Sequence, residues 1–166
     1  MFEVEYRIVR SDYDEFVGQN GFFQLKCNKC LFGEMYPKEI EKYMDKESLV
    51  DWFARMFKVA KYLNTKEYVA LSVVESFDLW IVFQKRNEDV VISVVKATKR
   101  IGSQDIEFEL ENATEGDWKN QVVSYKQFCD EIYTKTKEYV YFIRKNNNAR
   151  YITEKMSQSF KELFDE

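Results

Sequence analysis

Glu67-Tyr-Val-Ala-Leu-Ser-Val-Val74, Phe77-Asp-Leu-Trp-Ile-Val-Phe83, Val90-Val-Ile-Ser-Val-Val95 and Asp105-Ile-Glu-Phe-Glu-Leu-Glu111 follow one another across short polar gaps, and this run decides the fold class. Tyr68 to Val74 is almost continuously apolar, as expected of a strand covered on both faces. In the second segment Phe77, Leu79, Ile81 and Phe83 are expected on one face and Asp78, Trp80 and Val82 on the other. The third segment is rich in β-branched residues, which stand well on a pleated surface. The fourth alternates acid and apolar residue by residue. Ile106, Phe108 and Leu110 are expected to face a core there, with Asp105, Glu107, Glu109 and Glu111 in solvent. Turns fall at Asn87-Glu88-Asp89 and from Arg100 to Gln104, which contains Gly102.

Outward from this run, Phe2 to Val9 alternates as a first strand. Gly21 to Cys27 and Cys30 to Tyr36 flank Asn28-Lys29 as a hairpin, through a tight type I′ turn or a three- to four-residue loop. Pro37 suits the start of a helical turn through Met44. Ser48 with Asp51 three residues on forms a capping-box-like start. Leu49, Trp52, Phe53, Met56, Phe57, Ala60 and Leu63 then make one apolar stripe at helical spacing, ended by Asn64. Ser124 with Gln127 opens a second helix through Tyr125, Phe128, Cys129, Ile132, Tyr133, Thr136, Val140 and Ile143, broken at Asn146-Asn-Asn148. A last amphipathic helix carries Ile152, Met156, Phe160, Leu163 and Phe164. The expected fold is α+β: a mainly antiparallel sheet of about six to seven strands, a helix inserted after the first hairpin, and two C-terminal helices packed on the sheet. With no repeat, linker or low-complexity tract, residues 1–166 read as a single domain.

Composition narrows the function. A net charge of −4 opposes general nucleic-acid binding, which needs a basic patch to displace counterions from phosphates. No window approaches the ~20 apolar residues of a membrane span. The N-terminus lacks the basic and apolar regions of a signal peptide, and three Cys is an odd number. The expectation is a cytoplasmic protein with reduced thiols. Aromatic residues make up 17% of the chain, which suits either a sticky interface or an AT-rich coding sequence.

Catalytic equipment is sparse. The chain has no His, which removes the commonest general base and the Ser-His-Asp and Cys-His nucleophile systems. Neither GxGxxG nor GxxxxGK[ST] occurs. Cys27-Asn-Lys-Cys30 is the one metal- or redox-like motif, but zinc needs four ligands and Cys129 is the sole remaining thiol. On the hairpin reading Cys27 and Cys30 are cross-strand neighbours, close enough for a disulfide under oxidation. Paired carboxylates remain available for acid–base work, but nothing suggests the burial that raises a carboxyl pKa. The expectation is a non-enzyme without metal or cofactor.

The acidic segment is the positive feature. Between Ile101 and Trp118 lie Asp105, Glu107, Glu109, Glu111, Glu115 and Asp117 with no Lys or Arg; these six charges, against a net of −4, leave +2 on the remainder. Side chains two apart on a strand are separated by about 6.5–7 Å, near the spacing of successive phosphates. Such a row could occupy the basic cleft of a nuclease, with Trp118 as an apolar anchor. The plainer account is a solvated face, or charge that protects an edge strand from aggregation.

Taken together, Gly21-Phe-Phe-Gln-Leu, Gly33 after the hairpin, Ser48-Leu-Val-Asp-Trp-Phe, Leu79-Trp-Ile-Val-Phe and Val90-Val-Ile-Ser-Val make the chain resemble small immunity proteins of bacterial polymorphic toxin systems. The resemblance runs from about Gly21 to Leu110 as an order of elements. It brings no binding residues with it. It implies a cytosolic, acidic, non-enzymatic inhibitor that binds one basic toxin domain, such as a nuclease, and neither nucleic acid nor membrane. Asp105, Glu107, Glu109, Glu111, Glu115, Asp117 and Trp118 are the expected partner-binding residues. The alternative is an adaptor that assembles through an exposed sheet edge or helix; a carboxylate-dependent hydrolase comes third.

Overall fold

The β-branched run at Val90–Val95 becomes the middle of the longest ladder in the computed structural model, which describes residues 1–148 and Arg150. Among the described residues the elements are β1 (Phe2–Ile8), β2 (Asn20–Cys27), β3 (Cys30–Phe32), β4 (Glu47–Ser48), α1 (Leu49–Tyr62), β5 (Tyr68–Ser72), β6 (Leu79–Arg86), β7 (Asp89–Lys96), β8 (Ile106–Glu107), β9 (Thr114–Glu115), β10 (Gln121–Ser124) and α2 (Tyr125–Asn146), with a 3-10 turn at Glu41–Tyr43. The fold is α+β. Its strands form two antiparallel sheets, of six and four strands, where the sequence suggested a single sheet of about six to seven. Alternation tells each strand which side chains share a face, but it does not name the strand's neighbour. The last amphipathic helix, at Ile152 to Phe164, lies outside the described residues.

The chain divides into two compact units. One comprises Met1–Phe2, Cys27–Cys30 and Lys58–Asp130; the other comprises Glu3–Lys26, Leu31–Phe57 and the described residues from Glu131 on.

The first unit is built on the six-stranded sheet, in the order β10-β7-β6-β5-β8, with β9 also paired to β7. β6 and β7 pair from Leu79↔Lys96 to Arg86↔Asp89 around a two-residue turn. Asn87 opens that turn with φ 56°, a left-handed conformation that Asn tolerates better than most residues. Both faces are covered, as the apolar runs predict: Val69 to Ser72 and Trp80 to Phe83 are buried without a break. Trp80 and Val82 pack with Ala70 and Ala97, and Tyr68, Val95 and Leu110 close over them. The Trp80 indole donates to the Ala97 carbonyl at 2.9 Å, which satisfies the one polar atom that its burial would orphan. Phe83, on the opposite face of β6, meets Phe128 at a ring separation of 5.5 Å, and Phe128 meets Phe2 at 4.9 Å. Phe77, expected on this strand, lies before it and is exposed.

In the second unit β2 is central to the four-stranded sheet, with β1 and β3 as neighbours and β4 paired at its start through Asn20↔Ser48 and Gly21↔Glu47. Gly21 has no alternative there, because a Cβ would sit 2.1 Å from the Arg7 carbonyl oxygen. The hairpin turn has two residues, but φ is left-handed only at Asn28 (55°) and not at Lys29, so it is not the expected type I′ turn, which needs positive φ at both positions. β3 is shorter than expected and stops at Phe32. Ser48 caps α1, its hydroxyl accepting from the Asp51 N–H at 3.4 Å. All seven residues of the expected stripe are buried. Phe53 sits between Tyr6 (4.9 Å), Phe23 (5.5 Å) and Tyr139 (4.4 Å, stacked). The start of α2 belongs to the first unit, where Ser124 caps the helix through the Gln127 N–H at 3.4 Å. The helix ends where the Asn run begins, and the Asn147 amide donates to the carbonyls of Ile143 (2.9 Å) and Val17 (3.0 Å).

Candidate functional site

The acidic segment departs most from its expected form. Asp105 to Glu111 reads as a seven-residue strand, but only Ile106 and Glu107 pair, with Leu71 and Ala70 of β5. The Asp105 carbonyl adds one bond, accepted from the Ser72 N–H at 2.8 Å. Ile106 and Leu110 are half-buried, and Phe108 is 40% exposed. Its ring is held outside the sheet core, edge-on to Tyr62 at 4.9 Å with the Lys66 ammonium 5.1 Å away. The expectation that all three apolar residues enter the core is therefore corrected. A strand needs a partner edge as well as an alternating sequence, and β5 spans only Tyr68–Ser72.

The second correction concerns the continuity of the row. β8 lies outside β5, whereas β9 and β10 lie on the far edge of β7. Glu107 and Glu115 are thus separated by β5, β6 and β7, four inter-strand spacings or roughly 19 Å. Asp105, Glu107, Glu109 and Glu111 group at one edge, and Glu115 and Asp117 at the other. Trp118, expected as an exposed anchor, is 4% exposed and belongs to the core. The reason lies in the backbone: Gly116 N–H donates to the Val94 carbonyl (2.9 Å) and Val94 N–H to the Trp118 carbonyl (3.2 Å), so the segment runs flush along β7.

Cations just outside the acidic segment come back to it. Arg100 pairs with Glu111 and Lys119 with Glu115. Glu107 accepts the Gln104 N–H at 2.8 Å and is half-exposed, while Asp105, Glu109 and Asp117 stand in solvent. Exposed pairs of this kind contribute roughly 0–1 kcal/mol each, so they trim the local charge without fixing the loop.

Cys27, Cys30 and Cys129 are free thiols. Burial pushes the Cys27 thiol up to about 11, and burial also raises Cys129, so neither is activated as a nucleophile. Among the described residues no group of three or more Cys, Asp or Glu side chains is placed to hold a metal ion. No helix among them is long and apolar enough to cross a membrane.

Sequence reasoning missed the end of the larger sheet opposite the β6–β7 turn. Phe77, taken as a core residue, is 95% exposed, and Ile101 and Val74 are exposed beside it in the chain's two loops there. Comparison with protein-family models, with curated protein sequences and with solved structures finds no match.

Proposed function

We propose that this protein is a non-enzymatic inhibitor of the immunity-protein type, which acts in the cytoplasm and neutralises a basic toxin domain. The observation that supports the reading is the edge at β8. Asp105, Glu107 and Glu109 lie along an edge only two paired residues long, with their carboxylates in or near solvent. An acidic edge of this kind steers a basic partner into encounter and does little for the fold itself. The proposed contact centres on Asp105 to Glu111, with Glu115 and Asp117 on the opposite edge of the sheet.

Co-expression with the toxin domain encoded beside it tests the reading. The parent protein is expected to restore growth, and Glu107→Lys with Glu109→Lys to weaken binding at least about tenfold at unchanged thermal stability. Full affinity in the double variant removes the site assignment, and failure of the parent to bind or protect removes the function.

A further inference from the structure

Cys27 ends β2 and Cys30 opens β3, so the two thiols close a turn made only of Asn28 and Lys29. All four residues belong to the first unit. Residues opposed across an antiparallel pair share a face of the sheet, with Cα atoms about 4.5–5.5 Å apart. A disulfide needs Cα atoms ~4.4–6.8 Å apart, so the backbone already meets its first condition. The thiols also feel one another: burial pushes Cys27 up to about 11, and the charge of Cys30 adds to that rise. They differ in access. Cys27 is fully buried and Cys30 is half-buried. The turn is tied down as well. The Asn28 N–H donates to the Met1 carbonyl (2.8 Å), and its side-chain amide donates to Gln121 Oε1 (3.1 Å) and to the Val122 carbonyl (3.4 Å). β10 is the end strand of the six-stranded sheet, so Asn28 covers part of a sheet edge.

We propose that Cys27 and Cys30 form a reversible thiol–disulfide site, oxidised by a low-molecular-weight disulfide, and that its closure loosens the hold of Asn28 on β10. Cys30, the accessible thiol, attacks first as its thiolate. One sulfur of the small disulfide bonds to Cys30, the S–S bond breaks, and the departing thiolate takes up the proton that Cys30 lost. Cys27 then attacks Cys30 Sγ, the mixed disulfide breaks, and the second small thiol leaves with the Cys27 proton. Two protein thiols are oxidised and one small disulfide is reduced to two thiols. Burial of Cys27 opposes attack from solvent but not this second step, whose target is tethered beside it. Opposed residues hold their Cβ atoms about 4.5–5.5 Å apart, whereas a disulfide holds them at ~3.5–4.5 Å. Closure therefore draws the ends of the turn together by about an ångström. Asn28 moves with them, and its bond to the Val122 carbonyl is already 3.4 Å long. The site stands apart from the β8 edge and does not depend on what binds there.

The full chain, equilibrated in mixtures of reduced and oxidised glutathione and quenched with acid, is alkylated in denaturant and digested with trypsin, which cuts after Lys29 between the two cysteines. Reduced protein is expected to release Cys27–Lys29 and Cys30–Lys38 as separate alkylated peptides. With glutathione disulfide in excess the two are expected to stay joined until a reductant is added, while Cys129 is still alkylated. Cys27→Ser is expected to trap glutathione on Cys30, and Cys30→Ser to carry none on Cys27. Hydrogen exchange in the closed form should be faster at Asn28 and along β10 and unchanged along β6. The proposal is overturned if Cys27 and Cys30 are both still alkylated in excess glutathione disulfide, if glutathione stays on Cys30 of the parent without closure, or if the joined peptides contain Cys129. Unchanged exchange at Asn28 and β10 in the closed form would overturn the link to β10. Because Cys27 is buried, the peptide map of the parent decides the outcome even where Cys27→Ser does not fold.

Discussion

The β6–β7 ladder and the acidic segment after it both read as strands in the sequence, yet one is a strand pair of eight positions and the other pairs at two. The difference lies in what each side chain has to lean on. Along β6, Trp80 and Val82 are buried on one face and Ile81 and Phe83 on the other, and a complete neighbouring strand supplies every backbone partner. Along Asp105–Glu111 every second side chain needs water, the apolar set is only three long, and β5 offers a short edge. Charge alternation therefore marks the solvent side of a potential strand without providing the burial that makes one.

Truncation should expose this contrast most strongly. Phe83→Ala, which empties the contact with Phe128, is expected to cost about 3–5 kcal/mol. Phe108→Ala should cost roughly 1 kcal/mol or less, since its ring stays 40% exposed against Tyr62. Urea denaturation of the two variants measures both, and equal losses would mean that the acidic segment is core after all. Next comes Gly116→Ala. A Cβ there meets the Val94 carbonyl oxygen at 2.4 Å, and backbone must shift to admit it. About 1–3 kcal/mol is expected in the same assay, because the chain's backbone lies directly against that of β7 at Gly116. The smallest effect belongs to Glu107→Lys with Glu109→Lys, expected to leave stability within about 0.5 kcal/mol. Hydrogen exchange gives the same ranking without mutation: amides of β6 and β7 should exchange far more slowly than those from Phe108 to Glu111.

Local signals were legible where one residue decides the outcome. Ser48 and Ser124 cap the helices they were expected to cap, the stripe from Leu49 to Leu63 is buried in full, and Asn28 and Asn87 open two-residue turns. Pairing was not legible, because whether β1 to β4 join the larger sheet depends on contacts distant in sequence. The candidate site failed in the same way. Trp118 resembles an anchor until the β7 edge is seen to draw it inward, and Phe77 continues an alternating pattern whose ladder starts two residues later. Arg100 and Lys119 lie just outside the acidic window, so their return to Glu111 and Glu115 has no signature in composition.

The far edge of β7 holds one further consequence. Glu115 pairs with Val95 and Gln121 with Ile92, so six steps along one strand match three along its neighbour, and the surplus is taken up between Gly116 and Asn120. Asn120, exposed with φ 43°, ends this stretch. Chain length is therefore already decoupled from register at this point, as it is not in the two-residue turn at Asn87-Glu88. A short epitope or fluorophore-bearing peptide spliced between Lys119 and Asn120 would lengthen an existing detour. The protein thus comes with a natural insertion point for a reporter, on the opposite edge from β8.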